Sequence, residues 1–129
     1  MKSVYSYLGM MLVFTFLDLL WLGIFAKNFY QKRLGYLLAD KVNWAAAMIF
    51  YLIFILGILL FVVIPGKNLG VAKVLGYGAL FGIVTFAAYD LTNLATIKQW
   101  PFIVTIVDLA WGAIICACVS FIGRLIIRN

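Results

Sequence analysis

The chain contains no glutamate and no histidine, and four aspartates supply all of its side-chain negative charge. Without histidine, the commonest general base and the commonest metal ligand are both missing. The only cysteines, Cys116 and Cys118, stand two apart in an apolar run. On a helix that spacing points them about 200° apart, so they cannot pair with each other and read as small buried hydrophobes. Too few ligands remain for a haem, iron–sulfur or zinc signature. Proline is confined to Pro65 and Pro101, so long helices meet few breakers.

What is present is hydrophobic. Of 129 residues, 67% are hydrophobic and 11% charged, with a mean hydropathy of +1.17. A soluble domain of this length has too few polar residues to cover such a surface, so the lipid bilayer is the expected solvent and partner. One membrane domain spanning residues 1–129 is the expectation. The net charge of +6 comes from residues scattered at segment ends, with no basic stripe for nucleic acid. The first apolar run follows Lys2 but is too long for a signal-peptide core and contains an aspartate, so it reads as a retained helix.

Four runs have the roughly 20 apolar residues a spanning helix needs. They cover Val4 to Ala26, Trp44 to Ile64, Val74 to Thr96 and Pro101 to Ile127. Pro65-Gly66 ends the second, and Trp100-Pro101 opens the fourth, where proline is tolerated. In the first loop, Lys27 to Asn43, Tyr30, Leu34, Leu37 and Leu38 recur at helical spacing opposite Asn28, Gln31, Lys32 and Gly35. A short interfacial helix fits that pattern, anchored by Phe29 and Tyr36. The fold class is therefore all-α, a four-helix polytopic membrane protein. Gly78-x-x-x-Gly82, extended back to Gly70 and Gly76, and the run Ala45, Ala46, Ala47 offer flat faces for close helix approach. A homo-oligomer is compatible with such faces.

The N-terminus, second loop and C-terminus (side one) carry Lys2, Lys67, Lys73, Arg124 and Arg128. The first and third loops (side two) carry Lys27, Lys32, Arg33, Lys41 and Lys98. The balance is even, and the positive-inside rule returns no orientation.

Three aspartates, Asp18, Asp90 and Asp108, lie inside the apolar runs, and only Asp40 lies in a loop. Insertion scales put the cost of such an acid at about 2.5–3.5 kcal/mol, and it normally faces a bundle interior. At about 1.5 Å per residue, Asp18, Asp90 and Asp108 fall roughly 12, 9 and 10 Å from side two. Tyr51, Thr15, Thr92, Asn93 and Thr105 fall at the same level. The expected site is one polar pocket near side two above an apolar floor. Thr15-x-x-Asp18-Leu19-x-Trp21 reappears as Thr105-x-x-Asp108-Leu109-x-Trp111. Residues three apart share a helix face, so each acid is expected between a threonine hydroxyl and an indole of its own helix. Asn93 shares a face with Tyr89 and Asp90. An inverted repeat is excluded, because it would put the two aspartates near opposite surfaces.

The stretches Asp18-Leu-Leu-Trp-Leu-Gly23, Tyr89-Asp-Leu-Thr-Asn-Leu-Ala-Thr96, Trp100-Pro101 and Asp108-Leu-Ala-Trp-Gly112, with the Phe29-Tyr30 and Phe50-Tyr51 positions, resemble a bacterial membrane family, domain of unknown function 2177. The resemblance spans essentially the whole chain and implies a four-helix protein of the bacterial inner membrane, without naming a reaction.

Several uses of the acids are open at this point. They could simply tie helices together, although interhelical hydrogen bonds in membranes average only about 0.6 kcal/mol. They could form a pocket for a small cation, an amine or a lipid headgroup, with Asp18, Asp90 and Asp108 as candidate ligands for a divalent cation. Alternatively, Tyr51, Tyr89, Trp21 and Trp111 could hold an organic cation by their ring faces. A proton-coupled transporter resembling the small four-helix multidrug exporters is another reading. A membrane enzyme of lipid metabolism, using the acids as acid/base groups or metal ligands, is a third.

Overall fold

The computed structural model describes Met1–Asn129 and is helical, with no strand. Four helices are long and apolar enough to cross a membrane: α1 (Lys2–Phe25), α3 (Trp44–Gly66), α4 (Val71–Thr96) and α5 (Phe102–Arg128). Between the first two lies α2 (Lys27–Leu34). The expected boundaries hold to within three residues. The largest difference is at α4, where the extended backbone of Gly70 lets the helix begin at Val71 and draws Lys73 into its first turn. Asn43 caps α3, its side chain accepting the Ala46 backbone N–H at 3.1 Å. Pro101 stands just before α5, at the capping position.

The spanning helices turn large apolar side chains outward: Leu12, Phe16, Ile53, Phe61 and Val84 are all exposed. A surface of that kind belongs in hydrocarbon, so the chain is a multi-pass membrane protein. The interior core gathers Met10, Phe14, Phe54, Ile55, Ile58, Val63, Val74, Ile115 and Val119 into one cluster.

Helix α4 packs most extensively on α5, and α1 also packs on α5. The α4–α5 contact depends on missing side chains. A Cβ on Gly82 would collide with the Gly112 carbonyl, and one on Gly78 would stand 2.6 Å from Ser120 Oγ. The expected small-residue face is therefore used at Gly78 and Gly82. Gly70 and Gly76 meet nothing within 4 Å, so the face does not extend back to them. Ala45 and Ala46 are exposed and Ala47 is half-buried, so close approach does not occur at that run either.

Two departures from regular α-helix are invisible to hydropathy. The last turn of α1, Trp21–Phe25, and the stretch Leu59–Val63 of α3 are π-helical. Such turns are rare and often accompany functional sites. The Leu59–Val63 turn is the part of α3 that packs on α5 and α4, while the earlier part of α3 packs chiefly on α1.

Helix α2 ends before Leu37 and Leu38. From Gly35 the backbone tightens, Leu37 N–H donating to the Leu34 carbonyl at 2.8 Å. Leu34 is buried with Trp100 and Val104, and Phe29 and Tyr30 pack against them. Phe29 carries Arg33 over its ring at 4.4 Å. Tyr36 stays exposed and donates its hydroxyl to the Gln99 carbonyl at 2.9 Å, joining the first loop to the third.

Candidate functional site

Asp18, Asp90 and Asp108 reach one cavity of about 600 Å³. Helix α1 contributes Phe14, Asp18, Trp21 and Leu22; α3 contributes Phe50 and Phe54; α4 contributes Thr85, Phe86, Tyr89 and Asp90; α5 contributes Asp108 and Trp111. Helix α2 and the turn after it cover the side-two end with Lys27, Tyr30, Gln31, Leu34 and Leu38. Eleven of the seventeen lining residues are hydrophobic, so the acids are set into a mainly apolar wall. Below lies the core, where Phe54 meets Phe14 at 5.4 Å and Phe81 at 5.7 Å between ring centres.

The three carboxyl groups are held differently. Asp18 accepts the Tyr51 hydroxyl at 2.5 Å and the Trp111 indole N–H at 3.4 Å. Asp108 accepts the Tyr30 hydroxyl, and Tyr30 in turn accepts the Trp21 indole N–H at 3.2 Å. Asp90 is 1% exposed, and no N–H or hydroxyl donor reaches either of its oxygens. Across the α4–α5 interface its carboxyl meets that of Asp108, within reach of a hydrogen bond if one of the two carries a proton. Burial first, and the Asp108 carboxylate second, hold the Tyr30 hydroxyl well above the ordinary phenol range, so it stays a donor.

The repeated Thr-x-x-Asp-Leu-x-Trp frame works across helices rather than within them. Trp21 and Trp111 stack with centroids 4.6 Å apart and planes 8° from parallel. Each indole therefore serves the acid of the opposite helix: Trp111 bonds Asp18, and Trp21 reaches Asp108 through Tyr30. The threonines do not flank the acids as expected. Thr105 is buried, accepts the Trp100 indole N–H at 3.1 Å and donates to the Asp90 carbonyl at 3.5 Å. It positions the backbone of Asp90 and lies outside the cavity wall. Thr15 and Asn93 are half-buried and also stand off the wall. Tyr51 stands just behind the wall, acting through Asp18. Tyr89 lines the cavity, its ring edge-on to Trp100 at 5.9 Å. Thr92 turns its hydroxyl back to the Ala88 carbonyl of its own helix at 2.6 Å.

The divalent-cation idea fares less well. No group of three acidic, cysteine or histidine side chains is arranged to hold a metal ion. Two of the carboxyls are turned toward tyrosine donors on different helices.

Reading the sequence alone missed Tyr30, Lys27 and the phenylalanine wall. Tyr30 was visible only as one apolar-face position of a short helix. Its signal was that it is the single hydroxyl on that face, opposite two acids that needed donors.

No curated protein and no solved structure matches this chain. The family model described as predicted membrane protein (DUF2177) matches residues 3–125. With nearly its full length matched, including the segments that carry Asp18, Asp90 and Asp108, this chain belongs to that family of membrane proteins, domain of unknown function 2177.

Proposed function

We propose that the cavity is an intramembrane binding site for a positively charged amine attached to an apolar body. The observation that carries this is Asp90: a buried carboxyl beside that of Asp108, with no N–H or hydroxyl donor, at the wall of a large and mainly apolar cavity. An unpaired buried polar group is costly. A bound ammonium would supply the missing donors and the opposite charge together, and such charge-assisted hydrogen bonds are among the strong ones. Asp18 and Asp108 already accept from tyrosines, so they shape the field and Asp90 receives the ligand.

The rest of the wall suits the same ligand. The stacked Trp21–Trp111 pair and Tyr89 offer ring faces, each worth about 0.5–2 kcal/mol to a nearby cation depending on desolvation. Phe14, Phe50, Phe54 and Phe86 suit a hydrocarbon body. A cavity of about 600 Å³ lies within the usual range for a small-molecule site. The apolar core beneath favours a site entered from one side over a path through the bundle. We place the protein in a bacterial inner membrane.

The test compares benzylamine with benzyl alcohol, which has the same ring and no charge. Binding is measured by ligand-observed NMR on protein in lipid nanodiscs, for wild type and Asp90→Asn. Benzylamine should bind wild type more tightly than the alcohol, and the variant should lose at least about tenfold of that affinity, or ~1.4 kcal/mol. Equal affinity of the two proteins for benzylamine would overturn the reading.

A further inference from the structure

The cavity is covered at its side-two end and has lining residues that face the outside of the bundle. On side two, α2 lies across it, held by the cluster of Leu34, Trp100 and Val104 and by the bonds from Tyr30 to Asp108 and from Trp21 to Tyr30. On the membrane side, the part of α3 before its π-helical turn packs chiefly on α1 and α4 packs chiefly on α5, so α3 and α4 meet little at that level. Phe54 closes the gap from below, against Phe81 and Phe86. Above it, Phe50 on one wall and Tyr89 on the other both line the cavity, yet are 50% and 61% exposed. A residue that faces a cavity and the outside of a spanning bundle at once marks a sideways opening.

The charges at this opening are arranged as a pair. Asp90 lies deep, without an N–H or hydroxyl donor, while Lys27 lies at the side-two rim of the same cavity with Gln31. That order, an acid inside and a base toward the headgroup level, complements a head with a terminal ammonium and a phosphate behind it. The mainly apolar wall then continues into the bilayer. Lipid chains each reach about half of a ~30 Å hydrocarbon core, so they would stay largely in the bilayer and need a side opening.

Building on the amine-binding reading, we infer that the ligand is a phospholipid with a primary-amine head, entering between α3 and α4 above Phe54, its ammonium on Asp90 and its phosphate on Lys27. A primary ammonium has three N–H donors for Asp90 and Asp108, whereas a quaternary ammonium has none. The site should therefore distinguish ethanolamine from choline heads of equal charge.

The experiment is native mass spectrometry of protein released from nanodiscs of equal parts ethanolamine, choline and glycerol phospholipid, paired with fluorescence quenching by the same lipids brominated in their chains. Wild type should retain the ethanolamine lipid at least about tenfold over the other two. Brominated ethanolamine lipid should quench the Trp21–Trp111 pair more than brominated glycerol lipid does, with Trp44→Phe and Trp100→Phe backgrounds isolating that pair. Lys27→Gln should reduce retention of the ethanolamine phospholipid, and Asp90→Asn should abolish both lipid retention and benzylamine binding. Equal retention of the three lipids by a protein that still binds benzylamine through Asp90 would overturn the lipid inference alone. Loss of Asp90-dependent benzylamine binding would overturn the amine reading on which it rests.

Discussion

Near side one, Arg124 is buried and directs Nε and Nη2 to the Leu69 carbonyl at 3.1 and 2.7 Å; near side two, Asp90 is buried beside the Asp108 carboxyl and receives no N–H or hydroxyl donor. Both are ionisable side chains placed by long helices in an apolar chain, and both are costly there. Arg124 has been given a structural partner, as has Ser6, whose hydroxyl donates to the Gly123 carbonyl at 2.8 Å. Ser120 is also buried without a partner, but a hydroxyl packed on Gly78 is a smaller cost than a carboxyl. The contrast separates polar groups that hold helix ends together from one that no N–H or hydroxyl reaches.

The packing that supports both ends gives the largest expected effect. Gly82→Leu places a side chain where the Gly112 carbonyl already lies, so α4 and α5 cannot close. Overpacking of this kind costs about 1–3 kcal/mol and more when backbone must move. The variant should melt well below wild type, or fail to assemble, in a thermal-unfolding assay. A melting temperature equal to wild type would mean that the α4–α5 contact is not what aligns Asp90 with Asp108.

Next comes Arg124→Met, which keeps the apolar stem and removes the donors. Leaving the Leu69 carbonyl unpaired should cost about 1–3 kcal/mol, read as a lower melting temperature, with amine binding unchanged. If stability held and binding fell, the division between the two ends would be wrong.

Tyr30→Phe probes the cover over the cavity. Losing a hydrogen bond to a carboxylate should cost about 1.5–3 kcal/mol at most, less here because the group is only partly buried. The pH dependence gives a sharper reading. The phenol's folded value lies above its ordinary 10.0, so its stabilisation is fully present below that pH and is lost as pH rises through the folded value. The gap in melting temperature between wild type and Tyr30→Phe should therefore be constant below pH 10.0 and shrink above it. A gap that grew with pH would exclude a neutral phenol donating to Asp108.

How far all this could be read from the sequence follows from which forces are periodic. The spanning helices were legible because about 20 apolar residues in a row have few other fates. The common level of Asp18, Asp90 and Asp108 followed from helix rise alone, and Gly78-x-x-x-Gly82 carried its own packing signal. The crossed indoles were not legible: Thr-x-x-Asp-Leu-x-Trp says which residues share a face, but only the placement of α1 against α5 decides whose acid Trp111 meets. The π-helical turn at Trp21–Phe25 shifts that geometry and has no hydropathy signature. Tyr30 needed tertiary context too, because its role depends on α2 folding over the bundle end.

The smallest expected effect carries the contrast itself. Asp90→Leu removes a buried carboxyl to which the fold gives no N–H or hydroxyl donor and which crowds Asp108, and the adjoining cavity gives the new side chain room. If Asp90 has no structural role, the variant should be as stable as wild type or more stable by about 1 kcal/mol, since apolar replacements of unpaired buried polar groups are often neutral or favourable. Removal of Arg124 should have the opposite sign. The two variants, melted side by side without ligand, therefore give a difference whose sign matters more than its size. Adding benzylamine should raise the melting temperature of wild type and leave Asp90→Leu where it was, because only wild type keeps the carboxyl that the ammonium needs. A destabilised Asp90→Leu would make Asp90 a structural tie like Arg124, and the distinction between the two ends of the bundle would disappear.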